Sequence, residues 1–236
     1  MDDVKPVSTH DHLLGGLVRH LRRLAPTADR EQILLLGRDV LARYAEPHRA
    51  YHDRRHLAEV LAAVALLAEH ADDLSVAVAA AWWHDAVYDV PVLTGADAPT
   101  SRHAGAEQVS NEEASARLAV AALTDLRADP ERVARVATLI RMTATHDPSP
   151  LEPDAQVLSD ADLSVLASPP NRYATYVADV RREYSAMPDD LFRTGRAALL
   201  RTFLERDRIY RTPSAHERWE ADARANIAAE LRDLAT

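Results

Sequence analysis

Apolar residues recur every three or four positions along most of this chain, a period that belongs to α-helices and not to strands. Leu13, Leu14, Leu17, Val18, Leu21 and Leu24 form one stripe. Ile33, Leu36, Val40, Leu41 and Tyr44 form a second, and Leu57, Val60, Leu61, Val64 and Leu67 a third. Residues 76–88 are apolar nearly all round, which predicts a central buried helix. Strand-type alternation is rare, and the chain has only six glycines to break helices. The expected fold is all-α, a single compact helical domain of about eight to ten helices over residues 1–236.

Punctuation along the chain supports that division. Ser110 with Glu113 three residues later predicts a capping box, and Pro130 behind Asp129 predicts a proline in a first helical turn. A helix is expected through Val157, Leu158, Ala161, Val165 and Leu166, and another through Tyr173, Tyr176, Val177, Val180 and Tyr184. Two more are expected at about residues 189–210 and 216–234. The loop at 89–110, interrupted by Pro91, Gly95 and Pro99, is long for a connection without structure, and such loops often carry function.

Composition narrows the chemistry. With 28 basic and 37 acidic side chains the net charge is −9, so duplex nucleic acid is not an expected partner. The absence of cysteine excludes disulfides, thiolate metal sites and thiol nucleophiles. The stretch from Met1 to His12 is polar and has no apolar core of signal-peptide length, no window approaches a membrane-spanning apolar run, and the expected location is the cytoplasm.

Against this background three polar clusters stand out among the eleven histidines and the many carboxylates. His52 and His56 are four apart and share a face if a helix has begun there. His84-Asp85 follows Trp82-Trp83 in the most apolar segment, where burial is costly unless the pair is hydrogen-bonded or binds a cation. Asp160 and Asp162 interrupt another apolar stripe. His10, His12, His20, His70 and His216 read as ordinary surface residues. Imidazoles and carboxylates together suit a divalent cation, and a set of four leaves coordination positions open for water and a phosphate oxygen. The plain alternative for each cluster is a hydrogen-bonded polar pair.

The order His56, His84-Asp85, Asp162 resembles the signature of the HD superfamily of metal-dependent phosphohydrolases. Further stretches resemble one bacterial subgroup of it: Glu46-Pro47-His48-Arg49-Ala50-Tyr51-His52, Trp83-His84-Asp85-Ala86-Val87-Tyr88-Asp89, Asn111-Glu112-Glu113-Ala114-Ser115-Ala116 and Asp160-Ala161-Asp162-Leu163-Ser164. Val180-Arg181-Arg182-Glu183-Tyr184, Gly195-Arg196 and Ala223-Arg224-Ala225-Asn226 extend the likeness towards the end of the chain.

The resemblance implies an HD-type helical domain with a metal-binding core at about residues 30–185 and C-terminal helices at about 186–236 packed on it. It implies metal ligation by His56, His84, Asp85 and Asp162, with Asp160 as the competitor for the last place. The cofactor expected is one divalent ion (Mn, Co, Ni, Fe, Mg or Zn), with His103 and His146 as donors if there is a second. The activity implied is hydrolysis of a phosphomonoester or phosphodiester, the substrate being a small phosphorylated molecule such as a nucleotide. Asp85 and His84, with Glu112 and His52, are the catalytic candidates, and Arg181, Arg196, His146 and Asn111 the substrate-binding ones. The arginines have a plainer reading as ion-pair partners of Glu183 or Asp179, Glu112 as the acidic first turn of a helix, and Tyr51, Tyr173, Tyr176 and Tyr184 as core and pocket wall. No membrane partner is expected, and a homodimer through an exposed helix face is compatible with the pattern. Two other classes stay open: a non-catalytic phosphate-binding module using the same metal, and an HD-type di-iron oxygenase. A ferritin-like bundle would need repeated Glu-x-x-His pairs, which are missing.

Overall fold

The computed structural model describes residues 9–90, 92–94, 98–100 and 109–235. Ten α-helices are present among them. In chain order they are α1 (Thr9–Leu24), α2 (Arg30–Arg43), α3 (Arg54–Leu66), α4 (Leu74–Trp83), α5 (Asn111–Asp125), α6 (Pro130–Met142), α7 (Pro153–Asp162), α8 (Pro170–Glu183), α9 (Asp189–Leu204) and α10 (Pro213–Leu234).

Most of these helices begin where the chain supplies an acceptor or a proline. Asp29, Asp53, Asp73, Ser110, Asp129 and Thr212 each accept backbone N–H groups that a first turn leaves unpaired. Proline opens α6, α7, α8 and α10, where its missing N–H costs nothing. The expected capping box at Ser110 is only half made. Ser110 caps the Glu113 N–H, but the Glu113 carboxylate turns to Arg117 and Arg141.

Helix α4 is the axis of the molecule. Every residue from Ser75 to Trp83 is buried, and α1, α3, α5, α6 and α7 pack around it. One buried apolar cluster runs from Leu14 in α1 to Ile227 in α10. At the α1–α2 contact a Cβ on Gly37 would lie 2.6 Å from Leu14 Cδ2, so a larger residue there must displace the leucine side chains.

Four boundaries differ from the sequence expectation. Helix α4 stops at Trp83 instead of continuing to residue 88, because side chains from elsewhere take over its last backbone groups, as described below. Helix α7 stops at Asp162 and passes into a 3-10 turn, Leu163–Ala167. Helix α9 ends at Leu204, and α10 begins at Pro213, where the proline sets the start. Within the 89–110 loop, β1 (Val92–Thr94) and β2 (Ala98–Thr100) pair antiparallel, a short ribbon that the periodicity did not announce. None of the helices among the described residues is long and apolar enough to cross a membrane.

Candidate metal centre

Three helix ends meet at one point. His56 lies in the first turn of α3, His84 is the C-cap of α4, and Asp162 is the last residue of α7. The C-terminal ends of α4 and α7 bring partial negative charge towards the same place, which favours a cation there.

The side chains converge closely. His56 Nε2 is 3.1 Å from His84 Nε2, 3.3 Å from Asp85 Oδ2 and 3.2 Å from Asp162 Oδ1. His84 Nε2 is 3.0 Å from Asp85 Oδ2 and 3.6 Å from Asp162 Oδ1. His56, His84 and Asp162 thus form a group able to hold a metal ion, their donor atoms all within 4.8 Å of one another. Metal–nitrogen and metal–oxygen bonds of about 2.1 Å put neighbouring ligand atoms about 3 Å apart, close to the separations seen.

The electrostatics fit the same reading. His84 Nδ1 donates to the Ala81 carbonyl at 2.8 Å, a bond that fixes the tautomer and turns the Nε2 lone pair to the centre. Two buried imidazole nitrogens facing each other with lone pairs repel unless positive charge lies between them. Burial alone would lower the pKa of His56, but hydrogen bonds to Asp162 and Asp85 outweigh it and raise the value to about 9. His84 also rises well above the usual histidine range, Asp85 and Asp162 overcoming burial. Both carboxyls fall well below theirs, as His84 and His56 outweigh desolvation. The cluster demands a cation, whether protons or a metal.

Asp160 and Asp162 separate cleanly. Asp160 accepts the Arg211 and Thr212 N–H groups at 2.8 and 2.7 Å and the Thr212 hydroxyl at 2.7 Å, anchoring the chain before α10. Asp162 faces the imidazoles. Its second oxygen, Oδ2, is 3.6 Å from His146 Nε2. His146 stands in the left-handed region at φ 48°, held by Arg206, which donates to the Thr145 and His146 carbonyls. His146 Nδ1 is buried with no hydrogen-bond partner among the described residues. His103 lies outside the described residues.

Arg49 builds the turn that carries the pair 84–85. Its buried guanidinium donates to the carbonyls of His52, Asp85 and Ala86 at 3.1, 2.6 and 3.2 Å. Ser115 holds both the N–H and the carbonyl of Val87, and Asn111 does the same for Asp89. These contacts replace the helical bonds α4 would have made beyond Trp83.

Glu183 is the residue that sequence reasoning gave too small a part. One of its oxygens accepts the N–H groups of Ala50, Tyr51 and His52, and the other accepts from His52 Nδ1 and the Tyr88 hydroxyl. The only hint was its place in an otherwise basic and aromatic stretch. His52 precedes α3 and so does not share a helical face with His56, yet the two rings meet edge-on at 5.5 Å.

Of the four donors Asp162 lines a cavity of about 450 Å³, whose wall also includes His52, Asn111, Glu112, His146 and Arg196. Asn111 is engaged on the Asp89 backbone, as above. Arg196 makes a buried fork on Glu230, at 2.7 and 3.1 Å, in place of the expected Glu183 or Asp179. Arg181 is outside this lining and binds Asp189 together with the Tyr184 and Met187 carbonyls, closing the turn between α8 and α9. Tyr51, Tyr176 and Tyr184 form cavity wall, and Tyr173 instead donates to Glu230. Compared with models of protein families, with curated proteins and with solved structures, the chain matches none.

Proposed function

We propose that this protein is a metal-dependent phosphoester hydrolase acting on a small phosphorylated molecule. The observation that carries the reading is the convergence of the His56 and His84 imidazoles on the Asp85 and Asp162 carboxylates at 3.0–3.6 Å, beside a ligand-sized cavity that Asp162 lines. The resemblance of these residues and their order to the HD phosphohydrolases supports it. The four side chains would hold one divalent cation, which polarises a phosphate oxygen and acidifies a water when bound.

The chain's own groups then have separate tasks. Asp85 accepts a hydrogen bond from the attacking water and orients it, and the water's proton passes to solvent. The water oxygen bonds to phosphorus as the ester P–O bond breaks. His52 acts as the imidazolium, donating Nδ1–H to Glu183 and giving its Nε2 proton to the departing alkoxide. Glu112, in the first turn of α5 at the cavity wall, orders water at the mouth. Purified protein with Mn²⁺, Co²⁺, Ni²⁺ or Mg²⁺ should turn over members of a broad phosphoester panel, and replacing His84 and Asp85 together with alanine should abolish this. Activity untouched by the double replacement refutes the mechanism.

A second reading, a di-iron oxygenase with a related ligand set, draws support from His146 beside the second oxygen of Asp162. Iron content and oxygen uptake separate the two. A phosphate-binding module without catalysis would bind members of the same panel stoichiometrically and turn over none.

A further inference from the structure

The walls of the cavity say what kind of ester it takes, given the hydrolase reading above. Both phenylalanines and four of the seven tyrosines in the chain line this one space: Phe192, Phe203, Tyr51, Tyr88, Tyr176 and Tyr184. Leu163, Val165 and Leu166 from the 3-10 turn, with Val180, Met187 and Leu199, fill much of the remaining wall. Half of the chain's twelve phenylalanine, tyrosine and tryptophan residues on one surface match a ligand with an apolar face of its own.

Charge on the described lining points the same way. Arg196 is its one guanidinium, and that group is already neutralised by the Glu230 fork and lies 5.0 Å from the centre of the Tyr176 ring. Glu112 and Asp162 add negative charge. A di- or triphosphate needs several cationic groups to offset its charge, as phosphate-binding loops show. Two of the polar handles that a hydroxyl-rich alcohol would use are already taken. The Asn111 amide is engaged on Asp89, and the Thr143 hydroxyl donates to the Ile140 carbonyl at 2.7 Å.

We infer that the site takes a monophosphate ester whose organic part is aromatic or bulky and apolar, and discriminates against polyphosphates and against esters of polyols. The phosphate sits at the floor by Asp162, and the organic part stacks among the tyrosines and phenylalanines above it.

Two arms test this in the wild-type protein with its native metal complement. In the first, naphthyl phosphate, glycerol phosphate and adenosine triphosphate are compared as substrates. The expected kcat/KM is on the order of tenfold or more higher for naphthyl phosphate than for either of the others. In the second, calorimetry compares naphthylphosphonate with methylenebisphosphonate, neither of which can be hydrolysed as an ester. Tighter binding of the aryl phosphonate is expected, and Leu199→Arg, at a half-exposed wall position, should narrow or reverse the difference by adding an unpaired cation. Turnover that favours the triphosphate or glycerol phosphate overturns the inference and leaves the hydrolase reading standing. Aryl binding without any turnover overturns the hydrolase reading and supports the ligand class. Equal or weaker binding of the aryl phosphonate overturns the ligand class on its own.

Discussion

Glu183 grips His52 at two atoms at once, accepting from its ring Nδ1 at 2.7 Å and from its backbone N–H at 2.9 Å. The carboxylate reaches from the last turn of α8 to the loop before α3, so it ties the cavity wall to the floor. Burial would raise the pKa of Glu183, but His52 and the backbone N–H groups more than offset this and lower it from 4.5 to about 2. A depressed carboxyl contributes stability that is full above the unfolded value and is lost as pH falls through the folded one. The difference corresponds to roughly 3 kcal/mol. Glu183→Gln should therefore destabilise the protein strongly at about pH 7 and much less at about pH 3, read by urea unfolding. Equal losses at both pH values would show that Glu183 acts by shape alone.

Asp160 and Asp162 should part company experimentally. Asp160→Ala leaves three buried donors without their acceptor and should cost about 3–5 kcal/mol, with earlier proteolysis between α9 and α10. Asp162→Asn should instead lower metal affinity and leave that segment protected. Metal loss in the Asp160 variant at temperatures where it is still folded would reverse the assignment.

Arg49 is expected to act on the metal without touching it. Arg49→Met leaves three carbonyls of the 52 and 85–86 segments without donors, and Mn²⁺ affinity should fall by about tenfold or more. Arg49→Lys should not restore it, since an ammonium cannot span the same fork. A Mn²⁺ titration that gives the wild-type midpoint for both variants rules out this positioning role.

Two glycines should respond in opposite directions. Gly37→Ala drives a Cβ to 2.6 and 2.7 Å from the Leu14 and Leu17 methyls and should cost about 1–3 kcal/mol despite the better helix propensity. Gly15→Ala, which meets nothing within 4 Å, should gain about 0.5–1 kcal/mol. Thermal unfolding of the two variants checks the sign.

What could be read ahead of the structure follows from how local each signal is. The stripes through Leu13–Leu24 or Val133–Ile140 foretold helices because packing and periodicity agree there. Three of the four expected ligands, His56, His84 and Asp162, meet as a group able to hold a metal, and they were legible because histidine and aspartate in apolar surroundings need a reason to be buried. The end of α4 was not, because Arg49 and Ser115 terminate it from distant parts of the chain. Spacing alone did not separate Asp160 from Asp162, and the choice of Asp162 rested on the resemblance, since the return of Arg211 and Thr212 decides which way each faces. Arg181 and Arg196 were open to a phosphate role until the tertiary partners, Asp189 and Glu230, were in view. The partnership of Glu183 with His52 spans 131 residues, beyond the reach of any spacing rule.

Elemental analysis of protein purified without chelator, then repeated after dialysis against Mn²⁺, bears most directly on the metal centre. The arrangement of His56, His84, Asp85 and Asp162 predicts about one tightly held divalent ion per chain, lost when His84 and Asp85 are both replaced by alanine in a protein that stays folded. A folded wild-type chain that takes up no divalent ion, or a double variant that retains its full complement, would contradict it.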